Sequence, residues 1–316
     1  MTFGERTQDG IVGAGHAWRR RARAMARTVM RAAEYAAPAT GARLAAGAAR
    51  RVPARVRSRP TAPPGAQITL LVGAAGRRVT GATEARGRGP LVYLLDGYHG
   101  KGRMRELGAA LAGAGYRAVA VIVPAHRPDG PRRYQRGIVP EYVAALEAAV
   151  ARHGAPAAVI GHSLGGYAAQ LAVLGGLPGT PCLVLIEALP DATSIARALA
   201  RQAGLGRRTQ ARLPRVLARQ AGLTIADADA AARAREDASP RRVLVIWDDS
   251  SDFVQASASL DLACAWSADS FRTSARGHVG LLRDPGLHAR VIAHLDQSAG
   301  STRRARAYSR PSGGGQ

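Results

Sequence analysis

The chain has 316 residues, of which 47% are hydrophobic and 4% aromatic, so it can bury a core of aliphatic side chains and alanine. The formal net charge is +23, but residues 1–60 carry +10 and residues 297–316 carry +4, a distribution that argues against specific nucleic-acid binding. Two cysteines make no disulfide framework and no apolar run reaches 18 residues, so we expect a cytoplasmic protein without a transmembrane segment.

Residues 1–65 are rich in Ala, Arg, Gly and Pro, a composition that predicts a basic, largely disordered extension. One part of it has the pattern of an amphipathic helix, with arginines opposite an apolar face that comprises Trp18, Ala22, Met25, Val29 and Ala33. Such a helix can make weak contact with an anionic membrane surface; packing on the domain and disorder are the alternatives. Residues 297–316 predict a second basic, disordered tail.

Residues 66–296 alternate between two patterns. Short apolar runs predict strands buried on both faces at 68–72, 91–95, 119–123, 157–160, 182–186 and 243–247. Helical patterns lie between or after them at 103–114, 140–152, 165–175, 253–267 and 285–295. This alternation predicts an α/β domain with a mostly parallel central sheet flanked by helices.

The alternation breaks once, between the runs that end at Ile186 and begin at Val243. About fifty helix-like residues are too many for an ordinary connection between strands. We therefore predict an inserted helical cap over about residues 190–240. Its leucine and isoleucine positions favour an apolar substrate of medium size, although core packing explains them equally well.

The stretch Gly161-His162-Ser163-Leu164-Gly165 is a G-x-S-x-G motif between a predicted strand and a predicted helix. In that setting the serine occupies a sharp turn, and the glycines relieve crowding around it. The amide of Leu164 then faces the same space as the serine hydroxyl. His162, beside the serine, is a candidate for shaping the substrate pocket.

A serine hydroxyl needs a base to become a nucleophile, and the base needs a carboxylate to orient it. His278 lies between two glycines, after a strand-like segment at 270–274 and before the last helix. The segment Asp248-Asp249-Ser250-Ser251-Asp252 follows the strand at 243–247, where such a carboxylate belongs. The residues alone do not decide which acid is used.

From about Gln67 to Asp296 the chain resembles the α/β-hydrolase superfamily. The resemblance is carried by the serine motif, the Gly277-His278-Val279-Gly280 loop and the acid-rich loop between them. The resemblance implies Ser163 as nucleophile and His278 as base. The family's usual acid position falls on Ser251, so the acid is displaced. We favour Asp252, with Asp249 second and Glu187, at the end of the preceding strand, third.

The resemblance also implies an oxyanion hole made by the amides of Tyr98 and Leu164. Many relatives carry His-Gly after the third strand, whereas this chain has Asp96-Gly97. Gly97, His162 and Trp247 are the candidate substrate-binding residues. The Tyr98 side chain either bonds the substrate or only lines the pocket.

The resulting expectation is a cofactor-independent, metal-free serine hydrolase that cleaves a small-molecule ester or thioester through an acyl-enzyme. The alternatives are other chemistry on the same fold (acyl transfer, amide hydrolysis, a lyase or haloperoxidase reaction) and a non-catalytic binding scaffold. We also expect that deletion of residues 1–60 leaves the fold and the activity intact.

Overall fold

A computed structural model describes residue 28 and residues 34–49, 67–72, 78–84, 89–97, 103–123 and 139–308. The predicted amphipathic face from Trp18 to Ala33 and the predicted oxyanion residue Tyr98 lie outside these residues. No helix in the described ranges is long and apolar enough to cross a membrane.

The described strands form one eight-stranded sheet in the order β1-β2-β4-β3-β5-β6-β7-β8. Strands β3 to β8 run parallel, and β2 pairs antiparallel with both β1 and β4. The strands are β1 Gln67–Val72, β2 Arg78–Glu84, β3 Leu91–Leu95, β4 Arg117–Ile122, β5 Ala158–His162, β6 Cys182–Ile186, β7 Arg242–Asp248 and β8 Asp269–Thr273. The mostly parallel sheet predicted from the sequence is confirmed. Strand β2 was not predicted, because its residues RVTGATE contain no continuous apolar run.

Helices cover both faces of the sheet. The described helices are α1 Pro38–Ala49, α2 Arg105–Gly113, α3 Val139–His153, α4 Leu164–Leu174, α5 Ala192–Ala203, α6 Arg207–Gln220, α7 Ala230–Glu236, α8 Ala256–Ala265, α9 Gly277–Gly280 and α10 Pro285–Tyr308. Helices α3, α4 and α8 pack in the core on one face. Helices α2 and α10 pack in the core on the other face. The strands between these layers are apolar because both of their faces are buried.

The central strands end at one edge of the sheet, and each is followed by a polar residue. Asp96 follows β3, Ser163 follows β5 and Glu187 follows β6, while Asp248 ends β7. Every residue of β3, β5 and β6 is buried, so these ends are held rigidly. Parallel sheets bind ligands at the carboxyl ends of their strands, so this edge is the place to look for a site.

The segment between β6 and β7 forms three helices, α5, α6 and α7, called here the inserted helices. A small apolar cluster joins two of them, α5 and α6, to the N-terminal helix α1 through Ala46, Ala196 and Leu213. Part of the predicted disordered extension is therefore ordered, because alanine-rich α1 finds an apolar partner in the inserted helices. At the other end, α10 continues to Tyr308, twelve residues beyond the predicted domain boundary at 296.

Candidate active site

Ser163 lies at the turn between β5 and α4 with φ 54° and ψ −121°. A non-glycine residue rarely adopts this conformation, and residues that do so are concentrated at functional sites. The turn is crowded: a Cβ added at Gly161 would overlap the backbone of Gly166, and one at Gly165 would overlap the carbonyl oxygen of Leu95. The glycines of the motif therefore allow the close contacts that hold the serine in this position.

The Ser163 hydroxyl oxygen lies 3.1 Å from Nε2 of His278. On the other side of the ring, Nδ1 of His278 lies 2.8 Å from Oε2 of Glu187. The Glu187 side chain is fully buried, and the His278 side chain is 16% exposed. The three side chains thus form one continuous line of hydrogen bonds from a buried carboxylate to a serine hydroxyl.

The partner of His278 is Glu187, which the sequence analysis ranked third, and not Asp252 or Asp249. Glu187 directly follows β6 with φ 49°, which turns its side chain along the edge of the sheet. Asp249 instead accepts a hydrogen bond from the Trp247 indole. Among the described residues Asp252 has no hydrogen-bond partner, although its charge acts on His278 from a distance.

Glu187 is held by two further hydrogen bonds. Its Oε1 accepts from the Asp248 amide at 2.7 Å, and its Oε2 accepts from the Ser251 hydroxyl at 2.6 Å. A buried carboxylate is stable only when such donors satisfy its oxygens. One signal in the sequence could have identified it: Glu187 is the only charged residue in the apolar stretch from Cys182 to Leu189.

Asp248, which the sequence analysis did not single out, holds the segment that carries His278. Its carboxylate accepts hydrogen bonds from the Ser250 amide, the Thr273 hydroxyl at 2.8 Å and the Arg276 amide at 3.1 Å. Burial acts to raise the pKa of Asp248, but hydrogen bonds from the Ser250 and Thr273 hydroxyls and the Ser250 amide outweigh it and lower the pKa to about 2. The side chain is therefore a carboxylate at neutral pH.

The environment of His278 favours its neutral form. Burial lowers its pKa most strongly, the Glu187 carboxylate acts to raise it, and the net pKa is below the ordinary value of 6.5. The Phe253 ring packs against the imidazole with centroids 4.7 Å apart. A neutral imidazole next to a serine can accept the hydroxyl proton at neutral pH.

The predicted oxyanion and substrate residues fall in different places. Leu164 is the first residue of α4, so its amide has no partner within the helix. Gly97 packs against the serine turn, and His162 is buried beside it. Trp247 is 5% exposed and belongs to the core. It does not line the cavity that Phe253 borders.

That cavity has a volume of about 160 Å³ and lies between the inserted helices and the segment that leads into α8. Arg197, Arg201 and Arg235 line it together with three aspartates. Phe253, which contacts His278, forms part of its wall. The lining is polar and includes none of Ser163, His278 and Glu187. No group of His, Cys, Asp and Glu in the described ranges is arranged to hold a metal ion.

The sequence matches no protein-family model and no curated protein. Solved structures do match. The chain is similar to the esterase domain of a Rhodothermus marinus protein, with a TM-score of 0.51 and 17% identity over 75% of this chain and 98% of that one. It is also similar to a meta-cleavage product hydrolase from Pseudomonas fluorescens, with a TM-score of 0.54 and 17% identity over 73% and 98% of the two chains.

A third match is a candidate non-heme bromoperoxidase from Mycobacterium tuberculosis, with a TM-score of 0.51 and 18% identity over 69% of this chain and 96% of that one. These matches share the parallel sheet and its flanking helices. The chain therefore has the α/β-hydrolase fold, as the sequence predicts. At this level of identity the likeness extends to the fold, and the chemistry must be argued from the site.

Proposed function

We propose that the chain is a cofactor-independent serine hydrolase that cleaves a small-molecule ester or thioester, with Ser163 as nucleophile, His278 as base and Glu187 as acid. The observation that carries the proposal is the line of hydrogen bonds that joins these three side chains, 3.1 Å and 2.8 Å long. Nucleophile, base and orienting acid within hydrogen-bond reach are what acyl transfer requires.

In the first half of the reaction, Nε2 of His278 takes the proton of the Ser163 hydroxyl while the oxygen attacks the substrate carbonyl. The new carbon–oxygen bond gives a tetrahedral oxyanion. The imidazolium then donates its proton to the departing alcohol or thiol, which leaves an acyl-serine. Glu187 keeps Nδ1 protonated throughout and stabilises the transient positive charge on the ring.

In the second half, His278 removes a proton from water, which attacks the acyl-serine. The carboxylic acid leaves, and the proton returns from His278 to the Ser163 oxygen. The Leu164 amide is the donor for both oxyanions, and we assign the second donor to the Tyr98 amide. Loss of one such donor typically slows turnover by about 10²–10³-fold.

We also propose that the inserted helices, over about residues 190–240, act as a cap. They line a cavity that Phe253, the residue packed on His278, also lines. A cap in this place would exclude water and select substrates by size and charge. We propose that the acyl group enters this cavity, whose polar lining would favour small or polar groups over long aliphatic ones.

Haloperoxidase, lyase or transferase chemistry on the same fold is the alternative, and a candidate bromoperoxidase is among the structural matches. Labelling with a fluorophosphonate probe tests the proposal, because the probe reacts with an activated serine in any serine hydrolase. We expect labelling of the native chain, loss in Ser163→Ala and full labelling in Ser239→Ala, which changes an exposed serine. A folded native chain that does not label, or label that persists in Ser163→Ala, would contradict it.

A further inference from the structure

We propose that Asp96 and His162 act as a positioning pair that fixes the catalytic histidine relative to the oxyanion loop. The oxyanion loop is defined here as residues 96–103, between β3 and α2, of which residues 96, 97 and 103 are described. The inference rests on the proposed function and adds two residues to it. Neither side chain contacts the reacting atoms in the reaction sequence given above.

The His162 side chain is 2% exposed and lies between the two segments. Its Nε2 is 2.9 Å from the backbone carbonyl oxygen of His278. A carbonyl oxygen only accepts hydrogen bonds, so Nε2 of His162 must carry a proton. The two imidazole rings also contact each other, with centroids 4.9 Å apart. His162 therefore holds the backbone of the catalytic histidine in place.

Asp96 holds the oxyanion loop at both ends. Its Oδ1 accepts from the Gly97 amide at 2.7 Å, and its Oδ2 accepts from the Arg103 amide at 3.0 Å. The loop also touches the serine turn, because a Cβ added at Gly97 would lie 3.1 Å from both the His162 ring and the Ser163 Cβ. The loop that carries the Tyr98 amide thus starts from a carboxylate fixed beside His162.

The two side chains face each other, with Nδ1 of His162 3.6 Å from Oδ1 of Asp96. Nδ1 is buried and has no hydrogen-bond partner within the described residues. Since Nε2 donates to the His278 carbonyl, Nδ1 is the ring atom that faces the carboxylate. Asp96 therefore lies directly against the ring that holds the backbone of His278.

This arrangement connects two parts of the site that come from distant parts of the sequence. The His162 ring lies between the His278 carbonyl and the Asp96 carboxylate. Asp96 in turn accepts hydrogen bonds from both ends of the oxyanion loop. The base and the oxyanion donor must be placed together to within a fraction of an ångström for efficient acyl transfer. The pair thus acts on the transition state rather than on substrate binding.

The test compares His162→Leu with His162→Gln, whose amide can still donate to the His278 carbonyl, on a p-nitrophenyl butyrate substrate. We expect kcat to fall at least about tenfold in the leucine variant with KM little changed, and to recover largely in the glutamine variant. His288→Leu is the matched control, because Nε2 of His288 also bonds a backbone carbonyl, that of Leu282. It should keep native kcat.

The pH profile separates this role from a purely structural one. His162 acts electrostatically to lower the pKa of His278. Both His162 variants should therefore move the acidic limb of kcat/KM to higher pH, and Asp96→Asn should lower kcat as His162→Leu does. A leucine variant with native kcat and a native profile, or a folded glutamine variant as slow as the leucine variant, would overturn the proposal.

Histidine ¹⁵N NMR on the full chain reads the pair without any catalysis. We expect the His162 ring to carry a proton on Nε2, hydrogen-bonded to the His278 carbonyl. A ring whose Nε2 carries no proton in the native chain would overturn the inference even if the chain hydrolyses esters. The expected spectrum in a chain that does not label with fluorophosphonate would instead support the pair and contradict the proposed function.

Discussion

The Glu187 carboxylate accepts a 2.7 Å hydrogen bond from the backbone amide of Asp248, which ends the neighbouring strand β7. The two acids share the edge of the sheet but serve different segments: Glu187 contacts the His278 ring, and Asp248 binds the backbone that leads to it. One histidine is therefore oriented by two carboxylates: the one after β6 binds its ring, and the one at the end of β7 binds its backbone segment.

The first prediction concerns the identity of the acid. Glu187→Gln should lower kcat at least about 10²-fold, because the amide neither fixes the tautomer of His278 nor stabilises its charged form. Asp252→Asn is the matched variant, since that carboxylate affects His278 only through its charge. It should stay within a few-fold of native kcat. Steady-state kinetics with a nitrophenyl ester make the comparison, and the reverse order of effects would restore Asp252 as the acid.

The second prediction is the pH dependence of activity. As the proposed base, His278 can accept a proton only when it is neutral, and its pKa is below 6.5. The acidic limb of kcat/KM, which reports the free enzyme, should therefore have its midpoint below pH 6.5, with activity rising as pH increases through it. A midpoint above pH 6.5 would show that the interaction with Glu187 outweighs burial.

The third prediction uses Asp248 to test acid stability. Its pKa is lowered from 3.8 to about 2, so its contribution to the free energy of unfolding is complete above pH 4 and is lost as pH falls toward 2. The shift corresponds to roughly 2 kcal/mol. Asp248→Asn should therefore be less stable than the native chain at pH 7, and the difference should shrink toward pH 2.

Denaturant unfolding at several pH values measures this difference. Asp249→Asn is the control, because the Asp249 side chain is 41% exposed and its ion pair with Arg272 is at the surface. A gap between native and Asp248→Asn that stays constant from pH 7 to pH 2 would show that the carboxylate charge is not what holds the segment of His278.

The fourth prediction concerns the N-terminal extension. Helix α6 begins after Gly206, which has no side chain to cap it, and the Glu34 carboxylate accepts from the amides of Arg208 and Thr209 instead. These hydrogen bonds outweigh burial and lower the pKa of Glu34. Glu34→Ala should cost about 1 kcal/mol of stability, the usual value of a lost cap. Deletion of residues 1–33 should be tolerated better than deletion of residues 1–49.

Gly206→Ser gives a second test of the same contact. Serine normally caps a helix better than glycine. Here a Cβ at position 206 would overlap the Glu34 carboxyl, so the substitution should lower the melting temperature. In Glu34→Ala the same serine should be neutral or stabilising. A stabilising Gly206→Ser in the native chain would indicate that the extension does not pack on α6. That result would agree with the sequence-based expectation that residues 1–60 are dispensable for the fold.

The fifth prediction concerns acyl-chain length. The cavity beside Phe253 is about 160 Å³ and its lining includes three arginines. Long aliphatic chains would have to displace water from these guanidinium groups without replacing its hydrogen bonds. We therefore expect kcat/KM for nitrophenyl esters to fall at least about tenfold from butyrate to dodecanoate. A profile that rises with chain length would support the apolar pocket expected from the sequence.

Local sequence patterns were sufficient to predict the larger part of the fold. Five of the six apolar runs became parallel strands, because a strand buried on both faces must be apolar along its whole length. The first run, at 68–72, became β1, which pairs antiparallel with β2. The serine turn was recognisable because a crowded backbone there requires glycine at Gly161 and Gly165. Strand β2 was missed because it does not have that continuous apolar signal.

What the sequence by itself determined was the sheet, the helices that cover it and the positions of Ser163 and His278, since each depends on residues close together along the chain. Only the tertiary structure selected Glu187 over Asp252, placed Asp96 against His162 and brought Glu34 to the start of α6. These contacts join residues 66 to 175 positions apart. Their formation depends on how strands stack and turn at one edge of a sheet, which no local spacing records.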